Sequence, residues 1–138
     1  DIAARVADGL LLPEGSSAQY VAAANSRQGS GRLCVVYVLF AVDDDRDVAR
    51  AAVTESIERF APGEADARLA LMGVDCSDVP GSDRVAHFAA AGTPAGCAAG
   101  CGALVAAGAT SIVVGPHGAD HEQQLRRLAA DVVPLVRG

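Results

Sequence analysis

The clearest feature of the chain is a repeated order of helix-like segment and short apolar run. In the segment Gly92–Pro116, Thr93 can cap a helix that begins at Pro94. Proline suits the first helical position because its φ is fixed and it has no N–H that would be left without a partner. Apolar residues then recur at the spacing of one helix face: Cys97, Cys101, Leu104 and Val105. Gly108 ends this helix, and the following Ile112–Val114 run is typical of a strand covered on both sides.

The same order occurs nearer the amino end. A helix-like segment, Asp1–Ala7, leads into the apolar run Leu10–Leu12, which predicts a buried strand. The next helix is predicted to bury three residues: Tyr20, Val21 and Ala24. Leu33–Val42 is the strongest strand signal, because it is a continuous run of β-branched, aliphatic and aromatic residues. It predicts a central strand buried on both faces.

Two further helices and an irregular segment complete the pattern. A helix after Asp45 is predicted to bury Val53, Ile57 and Phe60. The segment Ala61–Ala91 mixes proline and glycine with short apolar clusters and indicates an irregular insertion with short helices. The last helix is predicted to begin at Asp120, to end before Pro134 and to bury the following stripe: Leu125, Leu128, Ala129 and Val132.

Three strands separated by helices predict an α/β fold of repeated right-handed units, either an open parallel sheet or part of a (β/α) barrel. The length of 138 residues and the hydrophobic content of 51% suit one domain, 1–138, with Ala61–Ala91 inserted within it. Parallel strands place their ligand-facing loops at one end. Those loops are expected at Pro13–Ser16, Asp43–Asp45 and Gly115–Gly118.

The charge balance excludes some classes of partner. A formal net charge of -6, a pI near 4.8 and the absence of any basic run argue against nucleic acid and anionic membranes. Lysine is absent, which excludes a Schiff-base mechanism and a P-loop lysine. Asp1 begins neither a signal peptide nor a membrane span, and a start without methionine suggests part of something longer.

The four cysteines predict a reducing, cytoplasmic environment, because they lack the paired short spacings of a zinc site. Cys97 and Cys101 share a helix face and could bind a metal or form a redox pair. Their neighbours are alanine and glycine, which provide no positive charge to stabilise a thiolate. Both cysteines are therefore interpreted as small residues of the core. Cys34 and Cys76 have no recognisable partner, so no nucleophile and no metal site is assigned.

Polar residues at the strand ends are the candidates for chemistry. Asp43–Asp45 could hold a divalent cation, but capping of the next helix is favoured. Glu14 is the carboxylate best placed for acid-base work or polar recognition, against the alternative of an exposed loop residue. His117 either faces the mouth or is solvated. His87 and His121 are given no role. The candidate substrate-pocket residues are Pro13, Glu14, Gly15, Gly115, Pro116 and His117.

Four motifs, in order and spacing, carry a resemblance to a known family. They are Ala7-Asp8-Gly9 before an apolar strand, Tyr37–Asp45, Gly92-Thr93-Pro94, and Gly108-Ala109 leading into Ile112–Pro116. Together they cover most of the chain. The chain resembles the carboxyl-terminal part of the luciferase-like flavin- or deazaflavin-dependent oxidoreductases, including methylenetetrahydromethanopterin reductase-like members.

The resemblance implies a (β/α)8 TIM barrel, of which this chain would supply about the last three strands and their helices. It implies FMN or coenzyme F420, a deazaflavin, held mainly by residues absent from this chain. The implied chemistry is hydride transfer or monooxygenation of a small organic substrate. A sugar phosphate is not expected, because the threonine and lysine of that branch are replaced here by Pro13, Glu14, Gly15 and Ser16.

Two functional hypotheses remain open. In one, the chain is part of an oxidoreductase, is inactive alone and binds its cofactor weakly or not at all. In the other, it is a non-catalytic truncated relative that acts as a binding, structural or oligomerisation module. Self-association, or pairing with the missing barrel half, is expected in both, because a few barrel strands leave open sheet edges and an uncovered apolar face.

Overall fold

Helices and parallel strands alternate along the chain in the computed structural model, which describes residues 2–29, 31–59 and 84–137. The strands are β1 (Gly9–Leu12), β2 (Leu33–Val42), β3 (Ala89–Gly92) and β4 (Ser111–Pro116). The α-helices are α1 (Ala3–Val6), α2 (Ala18–Gln28), α3 (Arg46–Arg59), α4 (Arg84–Phe88), α5 (Pro94–Ala106), α6 (His121–Arg127) and α7 (Val133–Arg137). None of the helices in these ranges is both long and apolar enough to cross a membrane.

The sheet is built around β2, and every pairing in it is parallel. Val35 and Val36 pair with both β1 and β4, so these two strands lie on opposite edges of β2. Leu39 and Phe40 pair with both β3 and β4, so β3 lies on the same edge as β1, further along β2. The three predicted strands are therefore parallel as expected, and their following loops lie at one end of the sheet.

The strand β3 was not predicted. Its sequence, Ala-Ala-Ala-Gly, lacks the β-branched and aromatic residues by which strands are recognised. It overlaps the end of the predicted insertion Ala61–Ala91, where α4 agrees with the predicted short helices but Ala89–Gly92 forms a strand instead of irregular structure. The rest of that segment, and the expected buried residue Phe60, lie outside the described residues.

The position of β3 determines where α3 packs. The chain steps from β1 to β2 and then back to the β1 edge at β3, so a right-handed crossover must put α3 on the opposite face from α2. Ala49, Val53 and Ile57 of α3 do pack on Leu39 and Ala41 of β2. The helices therefore cover both faces of the sheet at the carboxyl end of β2.

The larger core lies on the face of β2 formed by its even-numbered residues. It is formed by β2, α2, α5 and the carboxyl-terminal helices, and its buried members include Val36, Phe40, Cys97, Leu104 and Val132. Val21 and Ala24 of α2 are buried there as predicted. In α5, Val105 is 50% exposed, contrary to the prediction, while Ala98 is buried.

Elements within residues 2–29, 31–59 and 84–137 cover the opposite face of the sheet only in its carboxyl-terminal half. The prediction that the strands are buried on both faces is therefore wrong for the amino-terminal half, where residues are exposed. Four large apolar residues are exposed there, and we call them the open apolar face: Leu11, Leu33, Tyr37 and Val113. They point the same way because strand residues alternate and Tyr37 pairs with Val113. α3 covers only the carboxyl-terminal half.

The last helix was predicted to end before Pro134, but it continues past this residue. One π-helical turn, Leu128–Val132, joins α6 to α7, and the amide of Val133 donates to the carbonyl of Leu128. A wider turn just before proline gives its ring room, so the helix continues. The turn also changes which residues face the core: Val132 is buried and Leu128 partly buried, whereas Leu125 and Ala129 are exposed.

The described cysteines are packed thiols, as predicted. Cys34, Cys97 and Cys101 are free and buried, whereas Cys76 lies outside the described residues. The sulfur of Cys97 lies 3.3 Å from the carbonyl oxygen of Ala41, to which the thiol can donate a hydrogen bond. Burial, and then the neighbouring Cys101, raises the pKa of Cys97 to about 11. These thiols are therefore protonated core groups near neutral pH.

The raised pKa of Cys97 predicts a loss of stability in alkaline solution. The folded state keeps a proton that the unfolded chain releases near pH 9, so its contribution is complete below about pH 9 and lost as the pH rises to about 11. We expect the free energy of unfolding to fall by on the order of 2 kcal/mol across this window. Urea titrations at several pH values measure it. Cys97→Ala should show a shallower slope, and an equal slope would contradict the assignment.

Candidate functional site

The loop after β1 is a tight turn that brings one candidate side chain over the sheet. Gly15 has a φ of +75°, a conformation that glycine adopts readily, and it is buried. Ser16 donates from its hydroxyl to the carbonyl of Pro13 at 2.7 Å, and Ser17 caps α2 by accepting from the amide of Tyr20. The turn therefore fixes Glu14, which is partly buried, whereas Pro13 is exposed.

Glu14 and Gly115 are brought together by this arrangement. A Cβ atom added at Gly115 would lie 2.7 Å from Oε1 of Glu14, which is too close for two such atoms. Gly115 pairs with Leu39 on the side of β2 away from β1, so the Glu14 side chain reaches across β2. The absence of a side chain at position 115 leaves the space that this carboxylate occupies.

His117 is held by hydrogen bonds on both of its ring nitrogens. Nδ1 lies 2.9 Å from the carbonyl oxygen of Gly115, and Nε2 lies 2.9 Å from Oγ of Ser56 on α3. Because a carbonyl can only accept, Nδ1 carries the hydrogen, and Nε2 of the neutral ring accepts from Ser56. The backbone amide of His117 donates to Phe40 at 2.8 Å. The ring is therefore fixed beside Gly115, partly buried.

The aspartates after β2 cap α3, as the favoured interpretation held. Asp43 accepts from the amide of Asp45, and Asp45 accepts from the amide of Asp47 in the first turn of α3, both at 2.9 Å. Asp44 pairs with Arg127 at 2.5 Å and is largely exposed. Each of the three carboxylates thus has a structural partner. Nowhere in the described ranges do three side chains of histidine, cysteine or acidic type cluster as metal ligands.

Gln124 of α6 closes the end of β2. Its Oε1 accepts from the amide of Val42 at 2.7 Å, and its Nε2 donates to the carbonyl of Val42 at 3.0 Å. The side-chain amide thus takes the place of a strand residue beyond the end of β4. Thr110 does the same at the other end, where its hydroxyl bonds to the backbone of Cys34.

The structure brings three of the six predicted pocket residues together: Glu14, Gly115 and His117. Pro116 ends β4 opposite Phe40, and Gly15 and Pro13 only shape the turn. His121 is exposed at the start of α6, and His87 packs edge-on against Phe88. Ser56 was missed, although its position three residues after the buried Val53 was a signal that it faces the sheet.

Comparisons with known proteins identify the fold. No protein-family profile and no curated protein sequence matches the chain. Among solved structures, it is similar to the coenzyme F420 dependent tetrahydromethanopterin reductase from Methanopyrus kandleri, with a TM-score of 0.74 and 22% identity over 96% of this chain and 46% of that one. It is also similar to an F420-dependent secondary alcohol dehydrogenase in complex with an F420-acetone adduct, with a TM-score of 0.71 and 16% identity over 99% of this chain and 45% of that one. The chain thus spans less than half of each structure.

Proposed function

We propose that the chain is the carboxyl-terminal part of a luciferase-like oxidoreductase that uses coenzyme F420 to oxidise or reduce a small organic substrate. The observation that carries the proposal is the agreement of nearly the whole chain with two F420-dependent enzymes, at TM-scores of 0.74 and 0.71. The four motifs noted in the sequence support the same family.

The open apolar face supports a barrel. In a (β/α)8 barrel, β1, β2 and β4 would be neighbouring strands, and the residues of the open apolar face would point into the barrel interior. That interior is filled by side chains from all strands, so a part of the barrel taken alone leaves its share exposed. The exposed Leu11, Leu33, Tyr37 and Val113 fit this expectation.

The residues at the strand ends fit the substrate end of such a site, but not the anionic tail of F420. Glu14 and the aspartates after β2 carry negative charge, which would repel a phosphate. Arg127 is paired with Asp44 and Asp131, and Arg46 and Arg50 line a separate groove of about 500 Å³ along β3. We therefore assign the cofactor's tail to residues outside this chain, and derive no reaction step through it.

Fluorescence titration with F420 tests the proposal. The chain of 138 residues alone is expected to bind F420 at least about a hundredfold more weakly than a protein that also supplies the other barrel strands, because several charge-assisted hydrogen bonds of about 1.5–3 kcal/mol each are lost. Addition of those strands should restore binding.

Two outcomes would contradict the proposal. Tight one-to-one binding by the chain alone would show that the cofactor site is complete here. Absence of F420 binding with all strands present, together with self-association of the chain alone through the open apolar face, would instead support the non-catalytic module.

A further inference from the structure

We propose that the Glu14 carboxylate, lying over Gly115 at the end of the open apolar face, binds a hydroxyl or amine group of the substrate as a hydrogen-bond acceptor. The substrate role deepens the proposed function and rests on it. The recognition site itself depends only on residues of this chain and can be tested without the cofactor.

The position of Glu14 is set from two sides. Its loop is fixed by the Ser16 hydrogen bond to Pro13 and by the turn at Gly15. Its carboxylate occupies the space above Gly115, where a Cβ atom would lie 2.7 Å from Oε1 and 3.7 Å from the carbonyl oxygen of Val38. The side chain is partly buried, so this place over the sheet is not that of a solvated loop residue.

The carboxylate has capacity for a ligand. Across residues 2–29, 31–59 and 84–137, Glu14 forms neither a hydrogen bond nor an ion pair with another residue. An ionised carboxylate offers about four acceptor positions and no donor. A partly buried carboxylate is stabilised by a donor placed against it, because burial without one is costly.

The surroundings define the chemical class of the ligand. Tyr37 and Val113 provide apolar surface on the same face of the sheet, two residues before Leu39 and Gly115 along their strands. The imidazole of His117 is occupied, since its two nitrogens bond to Gly115 and Ser56. The site therefore favours a small apolar body that carries one O–H or N–H donor, and disfavours a carboxylate or phosphate.

Ligand-observed NMR on the chain of 138 residues, without F420, tests this site. The probes are cyclohexanol, cyclohexylammonium and methoxycyclohexane, which share one ring and differ in the donor. Wild-type protein is expected to bind the first two about tenfold more tightly than the methyl ether, because only they can donate to Glu14. Gly115→Ala should remove this preference by displacing the carboxylate. Gly102→Ala is the matched control, because an added Cβ there meets nothing within 4 Å.

Glu14→Gln keeps the size of the side chain and provides a second test of the site if Gly115→Ala does not fold. It should weaken cyclohexylammonium about tenfold and cyclohexanol less, since the amide oxygen can still accept. Equal binding of alcohol and methyl ether by wild-type protein, or equal behaviour of Gly115→Ala and Gly102→Ala, would overturn the site. If the chain binds the donors, but a protein that also supplies the other barrel strands does not bind F420, the oxidoreductase function is wrong and this site still stands.

Discussion

Replacing Phe40 with alanine is expected to lower the free energy of unfolding by about 3–5 kcal/mol, the largest single-residue effect that we predict. Phe40 is fully buried in the larger core and lies on the central strand between β3 and β4. Removal of its ring loses the transfer free energy of the buried atoms. It also leaves a cavity that the closely packed core around Phe40 fills only in part.

Urea unfolding of the two proteins at neutral pH measures this difference. Val113→Ala is the control, since Val113 is on the same sheet but belongs to the open apolar face and is 37% exposed. Its effect should be about 1 kcal/mol or less. If Phe40→Ala costs no more than Val113→Ala, the assignment of the even-numbered face of β2 to the core is wrong.

A second large effect is expected at Gly9, where alanine should destabilise the fold by about 3 kcal/mol. A Cβ atom there would lie 2.3 Å from the carbonyl oxygen of Leu33, a backbone atom that cannot rotate away. β1 would have to separate from β2 at its first paired residue. Because Glu14 follows β1 by two residues, its carboxylate should shift as well.

Thermal or urea unfolding measures the change in stability. The ratio of the affinities for cyclohexanol and methoxycyclohexane reports whether Glu14 has moved. Gly102→Ala is again the comparison, because Gly102 lies within α5 with open space around it. There alanine should stabilise the helix by about 1 kcal/mol. A Gly9→Ala protein as stable as wild type would show that β1 does not approach β2 as closely as described.

Local sequence signals predicted the elements whose causes are local. Thr93 and Pro94 begin α5, as expected, and Gly108, with a φ of +104°, follows its end. The run Leu33–Val42 forms the central strand with its predicted bounds. Each of these results depends on residues close in sequence, such as a cap, a preset φ or a continuous apolar run.

The features that the sequence did not reveal depend on tertiary arrangement. β3 is made of alanine and glycine, and it forms because β2 extends beyond β1 and has an edge to pair with. The direction of that crossover puts α3 over the carboxyl-terminal half of the sheet, and only this brings Ser56 to His117. Likewise, Pro134 was expected to end a helix that a π turn allows to continue.

The contact between Gln124 and Val42 makes the end of the central strand dependent on one uncharged amide. Glutamine both donates and accepts at Val42, whereas glutamate could only accept, so an oxygen would face the carbonyl oxygen of Val42. Deamidation of Gln124, a slow chemical change that needs no mutation, would therefore replace an attraction with a repulsion at this strand end. The loop of Asp43–Asp45 that follows would lose one of its supports and would be held by the pairing of Asp44 with Arg127 and by the hydrogen bond from the Asp43 amide to Gly92.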